Sequence, residues 1–286
     1  MVSKTKFRKL LTWISFLFCN IVVAQSNTET YNYANNCYKN GDYINAISAY
    51  SRLVFFDKEN YAAQCYKPLA EAYYKQGNYE LAANFFNLAY NTTSADSLKY
   101  EYVFMKTLCH IKQNNFDYAL IEIYSLPDSM SGNFMLRKNL YEATIYYFKN
   151  ETDKAKEVFE KVFTDARINQ QFKVLYKEFC KKNKLTARRA KAMSFIIPGL
   201  GQAYAGDAKN SINSLLLTSS FVVIYIAVAS TVSPIEAVIG ILPWFQRYYQ
   251  GGVKHAGLIA EAKKENVRKK YYTKLLDLYE KQKIKS

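Results

Sequence analysis

Four stretches decide how this chain folds: YKNGDYINAISAY (38–50), YKQGNYELAANFF (74–86), IKQNNFDYALIEI (111–123) and FKNETDKAKEVFE (148–160). They recur every 36–37 residues in one frame. The frame begins with Gly or Asn and has an aromatic two residues later. Ala follows after three more residues, and an aromatic or apolar residue four after that. Its members are Gly41, Tyr43, Ala46, Tyr50; Gly77, Tyr79, Ala82, Phe86; Asn114, Phe116, Ala119, Ile123; and Asn150, Thr152, Ala155, Phe159, with Thr152 in the aromatic position. Steps of three and four residues share one face of an α-helix. Gly or Asn at the first position can adopt the left-handed conformation that ends the preceding helix. The small Ala lets two helices approach closely. The reading is all-α, with a helix pair per copy over residues 26–184 and a capping helix over Gln170–Lys184. Pro68, inside the second copy's first helix, is expected to kink that helix or delay its start.

The second copy adds Tyr66, Leu69, Ala70 and Tyr73 before the frame and Ala89 after it. With these the pattern resembles the tetratricopeptide repeat, a helix-turn-helix unit of 34 residues. That resemblance implies an α-solenoid of four helix hairpins plus a cap, whose first helices line a concave, partner-binding face. It places Tyr31, Asn35, Tyr38 and Lys39 on that face, then Lys67, Glu71, Tyr74 and Lys75, then Phe104, Lys112, Thr144 and Tyr147. Tyrosines beside lysines suit an extended peptide, through ring area and charge-assisted hydrogen bonds. Packing between repeats is the other reading of each tyrosine. Tyr31 stands where the chaperone-tail version of the fold has its first carboxylate-clamping Lys, so that activity is not implied.

Outward from the repeats, the composition changes sharply. Residues 25–180 carry 17 Lys/Arg and 18 Asp/Glu, residues 181–286 carry 18 and 6, and seven of ten glycines follow residue 198. A uniformly basic nucleic-acid binder is excluded, and 16% aromatic content argues against disorder. Residues 1–24 hold Lys4, Lys6, Arg8 and Lys9, an uncharged run over Leu10–Val23, and small Val22 and Ala24 before a cut at Gln25. That is the order of a secretory signal peptide. An uncleaved anchor is the alternative. Phe18 before Cys19 argues against lipidation. Cys37, Cys65, Cys109 and Cys180 fall on apolar helix faces with irregular spacing, which points to buried thiols. No spacing suits a metal, and no cofactor is expected.

Asn210–Ile235 is free of charge, with the apolar centre LLLTSSFVVIYIAVAS (215–230). About 20 such residues cross a bilayer. Ser233-Pro234 breaks the chain before a second, weaker span over Pro234–Gln250, giving a membrane hairpin over 192–250. Glu236 sits beside that break, where snorkelling to water and a functional role at depth are both open readings. Upstream lies SFIIPGLGQAYAGD (194–207). There Pro198 and Gly199 are expected to stop a short helix. Gly201 allows close backbone packing, Gln202 can bond carbonyls, Tyr204 suits an interface, and Gly206 completes the pattern. This PGLGQ-x-Y-x-G motif resembles a family of small bacterial two-helix membrane domains. With RYYQGGVKHAGLIAEAKKEN (247–266) it is similar to tetratricopeptide-containing envelope proteins of Bacteroidetes. The family's activity is not implied by the motif, and no phosphate-loop pattern is present. Residues 254–286 read as a basic amphipathic helix whose stripe is Leu258, Ala262, Val267, Tyr271, Leu275, Leu278 and Tyr279. It could lie on anionic headgroups or pack on the repeats.

These features together predict a non-catalytic scaffold in the bacterial inner membrane, with periplasmic repeats that bind a protein or peptide. Membrane lipids are expected around the hairpin, homo-oligomers through it are possible, and nucleic acid is not expected. The alternative is an oligomeric transport or lipid-handling component, with Glu236 and Gln202 as working residues and the repeats as a regulatory arm.

Overall fold

The computed structural model describes residues 26–285; the signal-peptide reading of residues 1–24 lies outside them. Among the described residues all thirteen regular elements are α-helices and there is no strand. They are α1 (Asn27–Lys39), α2 (Tyr43–Phe56), α3 (Lys58–Lys75), α4 (Tyr79–Thr92), α5 (Asp96–Lys112), α6 (Phe116–Tyr124) and α7 (Gly132–Lys149). There follow α8 (Thr152–Val162), α9 (Ala166–Lys182), α10 (Ala187–Ile196), α11 (Leu200–Tyr204), α12 (Ala208–Thr231) and α13 (Pro234–Lys285). The chain divides into two compact units, one ending at Ile145 and the other beginning at Tyr146.

Each frame residue at a turn is left-handed: Gly41 at φ 78°, Gly77 at 79°, Asn114 at 59° and Asn150 at 67°. The bonding around them is the same four times. Gly41 N–H donates to the Tyr38 carbonyl (3.1 Å) and Asp42 N–H to Cys37 (2.9 Å); Gly77 donates to Tyr74 (3.0 Å) and Asn78 to Tyr73 (3.0 Å). Asn114 donates to Ile111 (3.0 Å) and Asn115 to His110 (2.9 Å); Asn150 donates to Tyr147 (3.2 Å) and Glu151 to Tyr146 (3.0 Å). These paired bonds satisfy the last carbonyls of one helix while the chain reverses. In the first two turns the next residue also starts the following helix. Asp42 Oδ1 accepts from Asn45 N–H and Asn78 Oδ1 from Leu81 N–H, both at 3.2 Å.

The first unit is built from α1/α2, α3/α4, α5/α6 and most of α7. Its interior is the frame: Ala46, Ala82, Ala119, Tyr50 and Ile123 are fully buried and Phe86 nearly so. Around Ala82 the core comprises Ala62, Tyr66, Ala70, Phe86, Ala89 and Tyr102. First helices neighbour one another: Tyr38 of α1 bonds Glu71 of α3, and Arg137 of α7 bonds Glu101 of α5. The helix α3 starts at Lys58 and continues through Pro68, so its start is not delayed. Burial of Cys65, Tyr66, Leu69 and Ala70 on either side offsets the backbone bond that proline cannot donate.

In the second unit Ala155 and Phe159 of the fourth copy are again fully buried. The helix α9 begins at Ala166, earlier than the expected Gln170, because Asp165 caps it by accepting from Ile168 N–H at 2.9 Å. Among the described residues α12 alone is long and apolar enough to cross a membrane, and 6% of its most apolar stretch is buried. It pairs with the start of α13, where Phe221 stacks on Tyr248 at 5.3 Å. The weaker span and the basic helix expected as separate elements are one helix of 52 residues. Gly251-Gly252 does not interrupt it. From Tyr271 onward its buried side follows the expected stripe, with Tyr271, Leu275 and Leu278 inside. Before that point Leu258 and Ala262 are exposed, and Ala256 and Ala260 are buried instead.

Ala82→Leu should destabilise the chain by about 1–3 kcal/mol, the usual range for overpacking a filled core. Thermal unfolding of the purified protein measures it; an unchanged Tm would mean that Ala82 is not at a closed helix contact.

Candidate functional site

The residues proposed for a partner-binding face in the first unit lie along α1, α3 and α5. Tyr31 is half-buried, with ring centroids 6.1 Å from Tyr50 and 5.8 Å from Tyr61. The Asn35 amide oxygen accepts the Tyr50 hydroxyl at 2.6 Å. Tyr38 donates to Glu71 Oε2 at 2.8 Å, and Lys67 Nζ lies 3.8 Å from Glu71 Oε1. Burial, reinforced by the Glu71 carboxylate, raises the Tyr38 hydroxyl above its ordinary range, so it stays a donor. Tyr74 is half-buried against Tyr79 at 5.3 Å, and burial pushes its pKa up to about 12. Lys39, Lys75 and Lys112 are exposed in the last turns of α1, α3 and α5. There they also meet the negative end of the helix dipole.

Three residues placed on that face are not available there. Phe104 is fully buried, with the Arg137 guanidinium 4.4 Å from its ring centre and Arg137 held by Glu101 at 2.5 Å. In the second unit, Tyr147 is also fully buried. Its ring stacks on Phe179 at 4.6 Å and its hydroxyl donates to the Arg268 carbonyl of α13 at 2.9 Å. Tyr272 closes over it at 5.7 Å. Thr144 is buried and donates to the Leu140 carbonyl at 2.7 Å. Sequence reasoning also missed Lys138, which is buried. It fixes the chain between α6 and α7 by donating to the Leu126 carbonyl (2.8 Å) and Asp128 (2.7 Å). Nothing in the local spacing marks it, because its partners lie ten and twelve residues away.

The second candidate, PGLGQ-x-Y-x-G, resolves into a packing knot. Leu200 N–H donates to the Ile197 carbonyl at 3.0 Å across Pro198-Gly199, with Gly199 at φ 91°. That is a type II turn, with Pro and Gly where it requires them. At Gly201 a Cβ would stand 1.9 Å from the Ala190 carbonyl oxygen and 2.5 Å from Ser194 Oγ. The glycine therefore brings α11 against the backbone of α10. Its N–H donates to Ser194 Oγ (2.9 Å), Ser194 donates to Gln202 Oε1 (2.8 Å), and Gln202 Nε2 donates to the Gly252 carbonyl of α13 (3.0 Å). Gln202 is 1% exposed. The Tyr204 hydroxyl donates to the Lys184 carbonyl at 3.3 Å, and Gly206, at φ 73°, ends α11. Glu236, by contrast, is exposed in the first turn of α13.

Cys37, Cys65 and Cys109 are buried free thiols and Cys180 is half-buried. Burial pushes Cys65 and Cys109 up to about 12, which suppresses thiolate chemistry. His110 is held below its ordinary value by burial, opposed by Glu122. Glu122 pairs with Lys106 at 2.8 Å. Among the described residues no three His, Cys, Asp or Glu side chains gather where they could share a metal ion. No protein-family model matches the chain, and no curated protein matches it.

Gly201→Ala should unfold the knot, with a loss at or above the upper end of the about 1–3 kcal/mol typical of overpacking. Gly240→Ala in α13 meets nothing within 4 Å and should be neutral or slightly stabilising. Unfolding of the two variants in detergent is the comparison; equal effects would remove the close-approach role of Gly201.

Proposed function

We propose that this protein is a membrane-anchored, non-catalytic scaffold whose helical repeats bind a protein or peptide partner in the cell envelope. The observation that carries the reading is the docking at Tyr147. Tyr38, Tyr74 and Tyr147 each stand three residues before a left-handed turn residue. At Tyr147 that register receives a helix: a tyrosine hydroxyl donates to a backbone carbonyl of α13, with rings packed on either side. Tyr38 and Tyr74 are half-buried, with exposed Lys39 and Lys75 beside them. They offer a partner aromatic rings beside added positive charge, the Tyr38 hydroxyl being held by Glu71. A segment carrying carboxylates and one apolar face suits them.

The exposed apolar helix α12 supports the anchor, since about 20 apolar residues suffice to cross a bilayer. The basic, then apolar, then small-residue order of residues 1–24 supports export, with the repeats on the periplasmic side of an inner membrane. The transport alternative gains nothing from Gln202, whose amide is bonded on both sides inside the protein.

A photo-crosslinking residue in place of Lys39, Lys75 or Lys112 should yield one common protein adduct in cells. Placement at Glu80 or Asp117, on the second helices, should not. Adducts independent of position, or none, would remove the binding face. A second measurement concerns topology. Single cysteines at Ser94 and at Ser286, with the native cysteines replaced, should both react with an impermeant reagent if the repeats are periplasmic and α12/α13 return the chain. Labelling of neither would overturn export.

A further inference from the structure

A groove of about 580 Å³ runs between α10 and the first half of α13 in the second unit. Its floor is apolar along most of its length and cationic at one end. Leu242, Phe245 and Tyr249 recur at helical spacing on α13, and Phe195 faces them from α10. Phe195 packs edge-on against Tyr249 at 6.1 Å and the Tyr249 hydroxyl donates to the Phe195 carbonyl. Phe195 nevertheless remains 66% exposed, as Ile196 and Ile197 also remain exposed beside it. The other end is closed by Lys191 and Lys254, and among the described residues no carboxylate lines the groove. The stem of Lys191 lies over Gly257, where a Cβ would come within 2.3 Å of it. That glycine therefore lets the lysine lie flat against α13.

The two ends sit at different depths along the apolar hairpin. Leu242 and Phe245 share a cavity with Phe221, Val222 and Tyr225, in the middle of α12. Gly252, two residues before Lys254, lies against Ser214, near the polar start of α12, where a Cβ would meet Ser214 Oγ at 2.9 Å. The lysines therefore stand at the polar end of the hairpin and the aromatic floor runs into its apolar zone. From Leu242 to Lys254 is about 18 Å along the helix, slightly more than one leaflet of an about 30 Å hydrocarbon core.

We propose that this groove is a binding site for one anionic phospholipid. One acyl chain lies on Phe195, Phe245 and Leu242, and the headgroup phosphate lies between Lys191 and Lys254. The charge pattern selects the occupant. Two ammonium groups at the headgroup level, without a lining carboxylate, favour a net negative headgroup over a zwitterionic one. The apolar length excludes a free phosphate as the natural ligand. The proposal rests on the membrane placement of α12, but not on the scaffold reading of the repeats.

The test uses the full chain in neutral detergent, with dioleoyl phosphatidylglycerol and dioleoyl phosphatidylcholine as probes and bound lipid counted by native mass spectrometry. Phosphatidylglycerol should be retained at least about tenfold better than phosphatidylcholine, as one lipid per chain, and glycerol phosphate should not compete. Lys191→Met with Lys254→Met should abolish that preference, a loss of about 1.4 kcal/mol per tenfold. Lys209→Met with Lys270→Met, outside the groove, should leave it intact. Leu242→Trp, which fills the apolar end while leaving both lysines, should cut retention of either lipid and decides the matter if the double lysine variant does not fold. Equal retention of the two lipids, equal loss in the control variant, or displacement by glycerol phosphate would overturn the site. Carbonate extraction of the parent membranes reports insertion separately; a chain released by carbonate would overturn the membrane placement and the lipid site with it.

Discussion

Reversing a helix within two or three residues, without stranding its last carbonyls, is the constraint on which this structure depends. A helix leaves four carbonyls unbonded at its end, and burying them unpaired is costly. A left-handed residue lets its own N–H and the next one turn back and bond them. Gly41, Gly77, Asn114 and Asn150 do this at the four repeat turns, and Gly206 does it after α11. Because the reversal is so short, consecutive helices are held side by side. The residue that faces the neighbour first, the frame Ala, must then be small. Turn chemistry and core composition are thus one requirement, met once in each copy.

That coupling explains how much of the fold was legible in the sequence. The turn residue, the Ala and the apolar residue four positions later are local to one another, so a spacing argument reaches them. All-helical structure and the position of the apolar helix α12 followed in the same way. The proposed binding face was harder to read. Phe104 has the spacing of a surface position, but the helix carrying it is packed on more than one side. Arg137, which covers it, comes 33 residues later with nothing local to announce it. Tyr147 shares its register with Tyr38 and Tyr74, but Phe179 of α9 and the path of α13, more than a hundred residues away, cover it. Register is a local property; cover is not.

The glycines after residue 198 show the opposite error. Gly251-Gly252 suggests a break, since glycine in a helix costs about 0.5–1 kcal/mol against alanine. In α13 the helix runs through both: nothing lies within 4 Å of where a Cβ on Gly251 would stand, while other small residues of this stretch leave space that neighbours occupy. Gly252 lies against Ser214 and lends its carbonyl to Gln202, Gly257 lies under Lys191, and Ala256 and Ala260 meet Ala190 and Ala205. A run of small residues is therefore ambiguous in sequence between a hinge and a tight contact. The partner surface decides, and here it is α12 at Gly252 and the α10/α11 region, drawn close by Gly201, beyond it.

A continuous α13 also joins two chemistries that the sequence seemed to separate. Its first turns pair with the apolar helix α12, and its last turns hold the turn between α8 and α9. Gln282 Oε1 accepts from Thr164 N–H at 3.1 Å and its Nε2 donates to the Val162 carbonyl at 2.8 Å. Between these lies the Tyr147 contact at Arg268. An α-helix rises 1.5 Å per residue, so 52 residues extend about 78 Å as one rod. Its composition shifts along that rod, from aromatics such as Trp244 and Tyr248 to lysines from Lys254 onward. This is the order needed by a helix that leaves an apolar layer through an aromatic zone and enters water. The basicity of the last third therefore belongs mainly to the length of this helix from Lys254 onward and to the approach of α10. The two meet where Lys191 and Lys254 stand at the mouth of one groove.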